Sequence, residues 1–343
     1  MARKKRRRSP LGQVFYDLRY RVGEFWLRGF IACLPYVPFV VVERFTTLVA
    51  WISFKLMPVY RQRMEENIAL TLGKDFPGAA EGKKLVWRAW KNFARGVLDT
   101  TAVMHHSKER IVGDVGLDGE VHLQNALAKG KGVLALSAHL GSFTMIGARL
   151  AAAGYPFSVV VKHPADERFA RLTDEYRAQV GIHTIPAKPR REAVRGLLKA
   201  LRENRIVLVI ADEFKSGDVM VEFFGMQLPA PRGPATLALR TGAVTLPMFA
   251  TREKDDRVLL TVGPPIAPVE REDLEASVVA TTAVYTSYLE AAIRRYPDQW
   301  NWLGLPNRNG KMSRAEMARQ LKELKKSAAA QQAAAPGKTG TGV

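Results

Sequence analysis

The residues best placed to do chemistry lie in Gly132-Val-Leu-Ala-Leu-Ser-Ala-His139-Leu-Gly141-Ser142-Phe-Thr144, where an apolar run of strand length ends at a histidine and a helix begins directly after it. In parallel α/β sheets the carboxyl ends of the strands border the ligand crevice. A histidine there can point into the crevice. Gly141 permits close backbone approach, and the N-terminus of the new helix offers amide donors to an anion or oxyanion. Ser142 and Thr144 stand at the same turn as candidate substrate contacts. Two carboxylates, Asp212 and Glu213, immediately follow another apolar run, Ile206–Ile210, and should emerge at the same sheet edge. Two cations join them as candidate substrate contacts: Lys162, which ends the run Phe157–Val161, and Arg232, beside Gly233-Pro234.

Positioning these residues requires a sheet. Val133–Ser137, Phe157–Val161, Ile206–Ile210, Val244–Phe249 and Val258–Val262 are short apolar runs, and helical patterns around Phe143–Ala153, Phe169–Val180, Glu192–Glu203 and Pro234–Thr241 separate the first four. That alternation predicts an α/β fold: a single domain over residues 61–312 with a central, mostly parallel β-sheet flanked by helices. Arg61 to His106 reads as helical, as does Leu274–Arg295. Ser313 and Glu316 stand in capping-box register before a C-terminal helix that ends at residue 326, and 327–343, of Ala, Gln, Gly and Thr, read as a disordered tail.

Residues 1–60 have a different character. A basic run, Arg3–Arg8, precedes aromatic residues interleaved with arginines, then two apolar runs, Gly29–Val42 and Phe45–Met57, separated by Glu43 and Arg44. Neither reaches the roughly 20 residues that span a bilayer. Residues 11–58 are therefore expected to be a hydrophobic helical anchor lying on the membrane, or else a tilted or broken spanning segment, with a pair of helices packed on the domain as the competing reading. No small-residue cleavage site follows cleanly, which argues against a secretory signal peptide.

Lys and Arg number 52 against 33 Asp and Glu, a net charge of +19 in 343 residues, so the surface should attract a polyanion: nucleic acid, anionic lipid or a phosphorylated substrate. No nucleic-acid motif accompanies the charge, and an anionic membrane surface explains it equally well. The single cysteine, Cys33, leaves no internal disulfide. The histidines show no metal-ligand grouping, and neither a phosphate-cradling Gly-Lys-Ser/Thr loop nor a Gly-x-Ser-x-Gly elbow occurs, so neither metal nor cofactor is expected.

Four blocks in order carry a family resemblance: Glu66-Asn67-Ile68; Ala138 to Phe143; Phe223-Phe224-Gly225 with Gly233-Pro234-Ala235 and Thr241-Gly242-Ala243; and Tyr296-Pro297-Asp298-Gln299-Trp300-Asn301-Trp302. From about Arg61 to Arg308 the chain resembles the lipid A late acyltransferases. The resemblance implies a fold related to glycerolipid acyltransferases and a place at the cytoplasmic face of the bacterial inner membrane. It implies an acyl carrier protein or coenzyme A thioester as donor, and a hydroxyl of a lipid A precursor or another glycolipid as acceptor. It also implies that His139 is the general base. Lys162 occupies a position where the family tends to have arginine and would meet a substrate phosphate, as would Arg232. Phe223-Phe224 reads as core rather than acyl groove, and Asp298, Trp300 and Trp302 as residues that shape the fold or a membrane-facing rim.

One position departs from the family. The motif carries Glu or Asp five residues after the histidine, to orient the imidazole and stabilise its protonated form, and here Thr144 stands there. An active enzyme needs a substitute. Glu213 is the first candidate, because family members commonly carry Asp-Gln where this chain has Asp212-Glu213, and Asp212 is the second. Mycobacterial mannoside acyltransferases look similar in placing a carboxylate after a later strand near the histidine. The alternative is a non-catalytic relative that binds lipid or acyl carrier protein.

Overall fold

All five apolar runs are strands of one seven-stranded sheet in a computed structural model that describes residues 21–22, 29, 37, 39–73, 79–103, 106–163, 167–214 and 217–305. From residue 39 on, the chain begins with α1 (Phe39–Leu56), α2 (Pro58–Leu72) and α3 (Ala79–Val103). Then follow α4 (Lys108–Asp114), β1 (Val115–Asp118), α5 (Glu120–Leu127), β2 (Val133–Ser137), α6 (Thr144–Ala152), β3 (Phe157–Val161), α7 (Glu167–Val180), β4 (Ile182–Pro186), α8 (Arg190–Arg202) and β5 (Ile206–Ile210). A hairpin, β6 (Val219–Phe223) and β7 (Met226–Ala230), precedes α9 (Gly233–Thr241), β8 (Val244–Arg252), β9 (Val258–Val262), α10 (Leu274–Arg295) and a single 3-10 turn, Trp302–Gly304.

The strand order is β1-β9-β8-β2-β5-β3-β4, parallel throughout except for the antiparallel β8–β9 pair. Every residue of β2 is buried, as a strand covered by helices on both faces requires. Right-handed crossovers distribute those helices. On one side α6 packs against α3, α4 and α7; on the other, α8 packs against α9, which packs against α10. The sheet positions the chemistry through register. Ser137 of β2 pairs with Ile210 of β5, and Ala211 donates its N–H to the Ser137 carbonyl at 2.9 Å, so His139 and Asp212 leave the sheet at the same height.

Several elements add to the expected pattern. β1, β4, β6 and β7 were not among the expected strands. β8 runs on to Arg252, and the two-residue turn of the hairpin places Phe224 and Gly225 at φ 51° and 70°, the mirror-image turn geometry that suits strand twist. α10 has the bounds expected from sequence, with Asp273 accepting the Ala276 N–H at 2.7 Å as its N-cap.

The hydrophobic anchor expected over residues 11–58 falls partly outside the described residues. Most of its described part is α1, which continues through Glu43 and Arg44 and packs on α3. Among the described residues no helix is long and apolar enough to cross a membrane. α1 nevertheless exposes Val40, Val41, Phe45, Leu48 and Trp51, and α3 exposes Phe93 and Val97. The expected C-terminal helix over 313–326 and the tail over 327–343 lie outside the described residues.

Candidate active site

His139 sits two residues beyond the end of β2, with its ring 35% exposed. Its Nδ1 lies 2.8 Å from Oδ1 of Asp212, a carboxylate that is only 3% exposed. The other carboxylate oxygen, Oδ2, accepts two further hydrogen bonds, from the His139 backbone N–H at 2.8 Å and from the Trp300 indole Nε1–H at 2.8 Å. Three N–H donors thus converge on one buried carboxylate. A carboxylate only accepts, so Nδ1 carries the ring proton and Nε2 is the basic nitrogen. Phe143 meets the imidazole edge-on, with centroids 5.1 Å apart, and restricts its rotation.

The carboxylate against the histidine is therefore Asp212, the second of the two expected candidates. Glu213, the first, is exposed and turned to the rim of the adjoining cavity. Successive residues leaving an extended segment point in opposite directions, and the shared register of β2 and β5 decides between them.

The histidine loop is laced to the end of the domain. Gly141 donates its N–H to the Gln299 carbonyl at 2.9 Å, and Asn301 donates to the His139 carbonyl at 3.1 Å. Gln299 Oε1 accepts from the Arg252 N–H and its Nε2 donates to the Arg252 carbonyl, both at 2.8 Å. Asn67, from the Glu66-Asn67-Ile68 block, is buried on α2 and donates Nδ2–H to the Trp302 carbonyl at 2.7 Å. The signal for Trp300 was visible as part of the Tyr296–Trp302 block, but its hydrogen bond to Asp212 was missed.

Gly141 was expected to let backbone approach a ligand, but the close approach is internal. Its φ is 58°, and a Cβ there would lie 2.3 Å from the Ala250 carbonyl oxygen. Ser142 is also occupied: its N–H bonds to Ala250 O at 2.9 Å and its Oγ–H to Asp99 Oδ2 at 2.5 Å, a carboxylate shared with Arg252. Among the described residues, the amides of Phe143 and Thr144, at the start of α6, have no acceptor. Thr144 Oγ1 lies 2.8 Å from Thr100 Oγ1 and does not replace an acid.

A cavity of about 440 Å³ adjoins the imidazole. Its lining runs from Lys162 back to Phe157 along the whole of β3, a length of about 16 Å at 3.3 Å per residue. Leu208, Ile182 and Val180 make its walls apolar, while His139, Lys162 and Glu213 supply polar groups. Gly147 of α6 belongs to the lining because nothing larger fits: a Cβ would lie 2.6 Å from Phe157.

The model of the bacterial lipid A biosynthesis acyltransferase family matches residues 15–305. The chain belongs to that family. It is an O-acyltransferase. Relatives include a phosphatidylinositol mannoside acyltransferase of Mycolicibacterium smegmatis, 27% identical over 71% of this chain and 78% of the relative. Two phosphatidylinositol mannoside acyltransferases of Mycobacterium tuberculosis strains are each 29% identical over 70% of this chain and 74% of theirs.

In this acyltransferase Lys162 is exposed at the cavity rim, whereas Arg232 immediately precedes α9, pairs with Glu275 at 2.5 Å and does not line the cavity. Behind Lys162, burial pushes the Asp174 carboxyl up, but hydrogen bonds from Arg177 at 2.6 Å and His163 at 2.8 Å outweigh it and hold the group below its ordinary value. Phe223 and Phe224 are core, buried with Phe214, Trp300 and Trp302. Among the described residues no three of His, Cys, Asp and Glu gather as a metal site.

Proposed function

We propose that the enzyme transfers a fatty acyl chain from a thioester donor to a hydroxyl of a glycolipid, with His139 as general base and Asp212 as the carboxylate that orients it. The observation that carries this reading is the 2.8 Å contact between His139 Nδ1 and a buried carboxylate held by two further N–H donors. The acceptor oxygen attacks the thioester carbonyl as its proton passes to Nε2, and Asp212 stabilises the imidazolium that forms. The amides of Phe143 and Thr144 hold the oxyanion. Collapse then breaks the C–S bond, the ester forms, and the departing sulfur takes the proton from Nε2. No covalent acyl-enzyme is needed.

The cavity along β3 holds the acyl chain, since it is long, apolar and open beside the base. Lys162 meets a phosphate of one of the substrates. The relatives' names support a mannose-bearing phospholipid as the class of acceptor, and the family name supports a lipid A precursor; both present sugar hydroxyls near phosphate. A lipid acceptor requires a membrane, and the apolar side chains exposed on α1 and α3, with the basic N-terminus, suit its anionic surface at the cytoplasmic face of the inner membrane, where thioester donors are available. Thr144 had raised the reading of a non-catalytic relative, but Asp212 supplies the acid that Thr144 lacks.

The test is lipid mass spectrometry of cells with and without the gene, restored by the wild type or by His139→Ala. A species heavier by one acyl chain should depend on the gene and on His139. An unchanged lipid profile, or full restoration by His139→Ala, refutes the proposal.

A further inference from the structure

The helix α3 turns a polar stripe toward the active site. Arg88, Asn92, Arg95 and Asp99 follow one another at spacings of three and four, which brings them onto one side of the helix, and Thr100 flanks the last of them. Together they reach three loops around the histidine. Asn92 donates to the Asp298 carbonyl at 2.8 Å and Arg88 lies 3.8 Å from the Asp298 carboxylate, in the segment that laces the histidine loop. Arg95 pairs with Asp256, in the turn between β8 and β9, and the Asp256 carbonyl accepts from Arg252 at 2.5 Å. Asp99 Oδ2 accepts from the Arg252 guanidinium and from Ser142 Oγ–H, both at 2.5 Å. Thr100 Oγ1 lies 2.8 Å from Thr144 Oγ1.

The contacts made by Asp99 and Thr100 fall on either side of Phe143. Ser142 precedes it and Thr144 follows it, and the amides of Phe143 and Thr144 are the ones without an acceptor among the described residues. A helix start is ordinarily fixed by an N-cap side chain that accepts one of its first amides. The N-cap of α6 is Phe143, which makes no such bond. Neighbouring hydroxyls can turn back onto the backbone and occupy it, but α3 draws both of them outward. The turn is thus fixed from outside, and its amides stay open. The charge of Asp99 does not oppose an oxyanion there, because Arg252 neutralises it at 2.5 Å in a pair that is mostly buried.

We propose that Asp99 and Thr100 are positioning residues for acyl transfer: they pin Ser142 and Thr144 so that the amides of Phe143 and Thr144 converge on the oxyanion. The inference rests on the acyl-transfer reading and adds the residues that preorganise its transition state. It also gives Thr144 a use of its own, as the hydroxyl by which α3 grips the start of α6. Donors held in advance act on charge that develops only in the transition state, so loosening them lowers kcat and leaves KM nearly alone.

The test uses the full-length enzyme, palmitoyl thioesters of coenzyme A and of acyl carrier protein as donors, and lipids extracted from cells lacking the gene as acceptors. Ser142→Ala and Thr100→Val each delete one hydroxyl and strand no charge. Each should lower kcat by about tenfold, less than the roughly 10²-fold that a displacement of about 1 Å costs, with KM for the donor nearly constant. Thr100→Ser keeps the hydroxyl and should recover most of the rate lost in Thr100→Val. Thr100→Val and Thr144→Val break the same bond, so the double variant should lose no more than either single one. A kcat within about twofold of wild type in both Ser142→Ala and Thr100→Val overturns the proposal. So does a rise in KM with kcat retained, which would make the contacts part of substrate binding. Absence of wild-type transfer from either donor would instead refute the acyl-transfer reading itself.

Discussion

Replacing Asp212 with asparagine keeps the shape of the carboxylate and removes its charge, and the geometry determines which way the amide must face. Oδ2 accepts two N–H groups and Oδ1 only the imidazole nitrogen. An asparagine with its NH2 in the Oδ2 position opposes two donors and leaves both unsatisfied, at about 1–3 kcal/mol each. With NH2 in the Oδ1 position it opposes only Nδ1, which can become an acceptor by moving its proton to Nε2. The second arrangement is favoured by about 2–6 kcal/mol, so nearly every molecule holds the wrong tautomer. Nε2 then carries a proton and cannot take one. The same acid-to-amide change beside a catalytic histidine lowers turnover about 10⁴-fold in serine proteases, which corresponds to roughly 5.5 kcal/mol of barrier. Steady-state acyl transfer by purified Asp212→Asn should show a loss of that order, with the melting temperature within a few degrees of wild type. Glu213→Gln, which touches only the rim, should lose no more than a few-fold. A loss below about tenfold in Asp212→Asn, or 1.4 kcal/mol, refutes the tautomer argument.

Trp300→Phe keeps the aromatic packing but deletes one donor to Asp212, and should lower kcat by about tenfold with little change in KM, as the net value of a charge-assisted hydrogen bond suggests. Gly141→Ala forces a side chain into left-handed backbone and against the Ala250 carbonyl, and urea unfolding should register a loss of about 2–4 kcal/mol. The depressed Asp174 carboxyl contributes stability that is present above the unfolded carboxylate range and is lost as pH falls through its folded value. Asp174→Asn should therefore destabilise at pH near 7 by less than about 1 kcal/mol, since the group is partly exposed, and the gap from wild type should close below about pH 4 in thermal melts.

Much of this was legible in the sequence, for identifiable reasons. The strands at the centre of the sheet are continuous apolar runs because helices cover both faces, and such runs stand out between helical patterns. β1 and β4 do not stand out: at the two sheet edges they fully bury one residue each, Val115 and Ile185, and the remaining positions add only the half-buried Leu117 and Ile182 to Gly, Asp, His, Thr and Pro. β6 alternates as a hairpin strand should, but so short an alternation around Phe-Phe-Gly is read more easily as a turn. His139 was found because it ends a buried run. The choice between Asp212 and Glu213 was not legible, because β5 is buried in three successive positions and its sequence carries no alternation from which to extrapolate a direction. Trp300 was equally hidden, since nothing local announces that an indole 88 residues away completes a carboxylate's hydrogen bonds.

The lacing of the histidine loop to the Tyr296–Trp302 segment has a consequence for synthesis. During translation the chain acquires Asp212 73 residues after His139, and Trp300 a further 88 residues after that. At about 5–20 residues per second, something like 8–30 s separates the emergence of the histidine from that of the residue that completes its surroundings. Throughout that interval the cavity side of the sheet can begin to collapse, yet the imidazole lacks first its carboxylate and then the indole that fixes it. A chain that ends short of Asp212 would therefore be unable to hold the base in its working tautomer, and one that ends short of Trp300 would hold the carboxylate with one donor fewer.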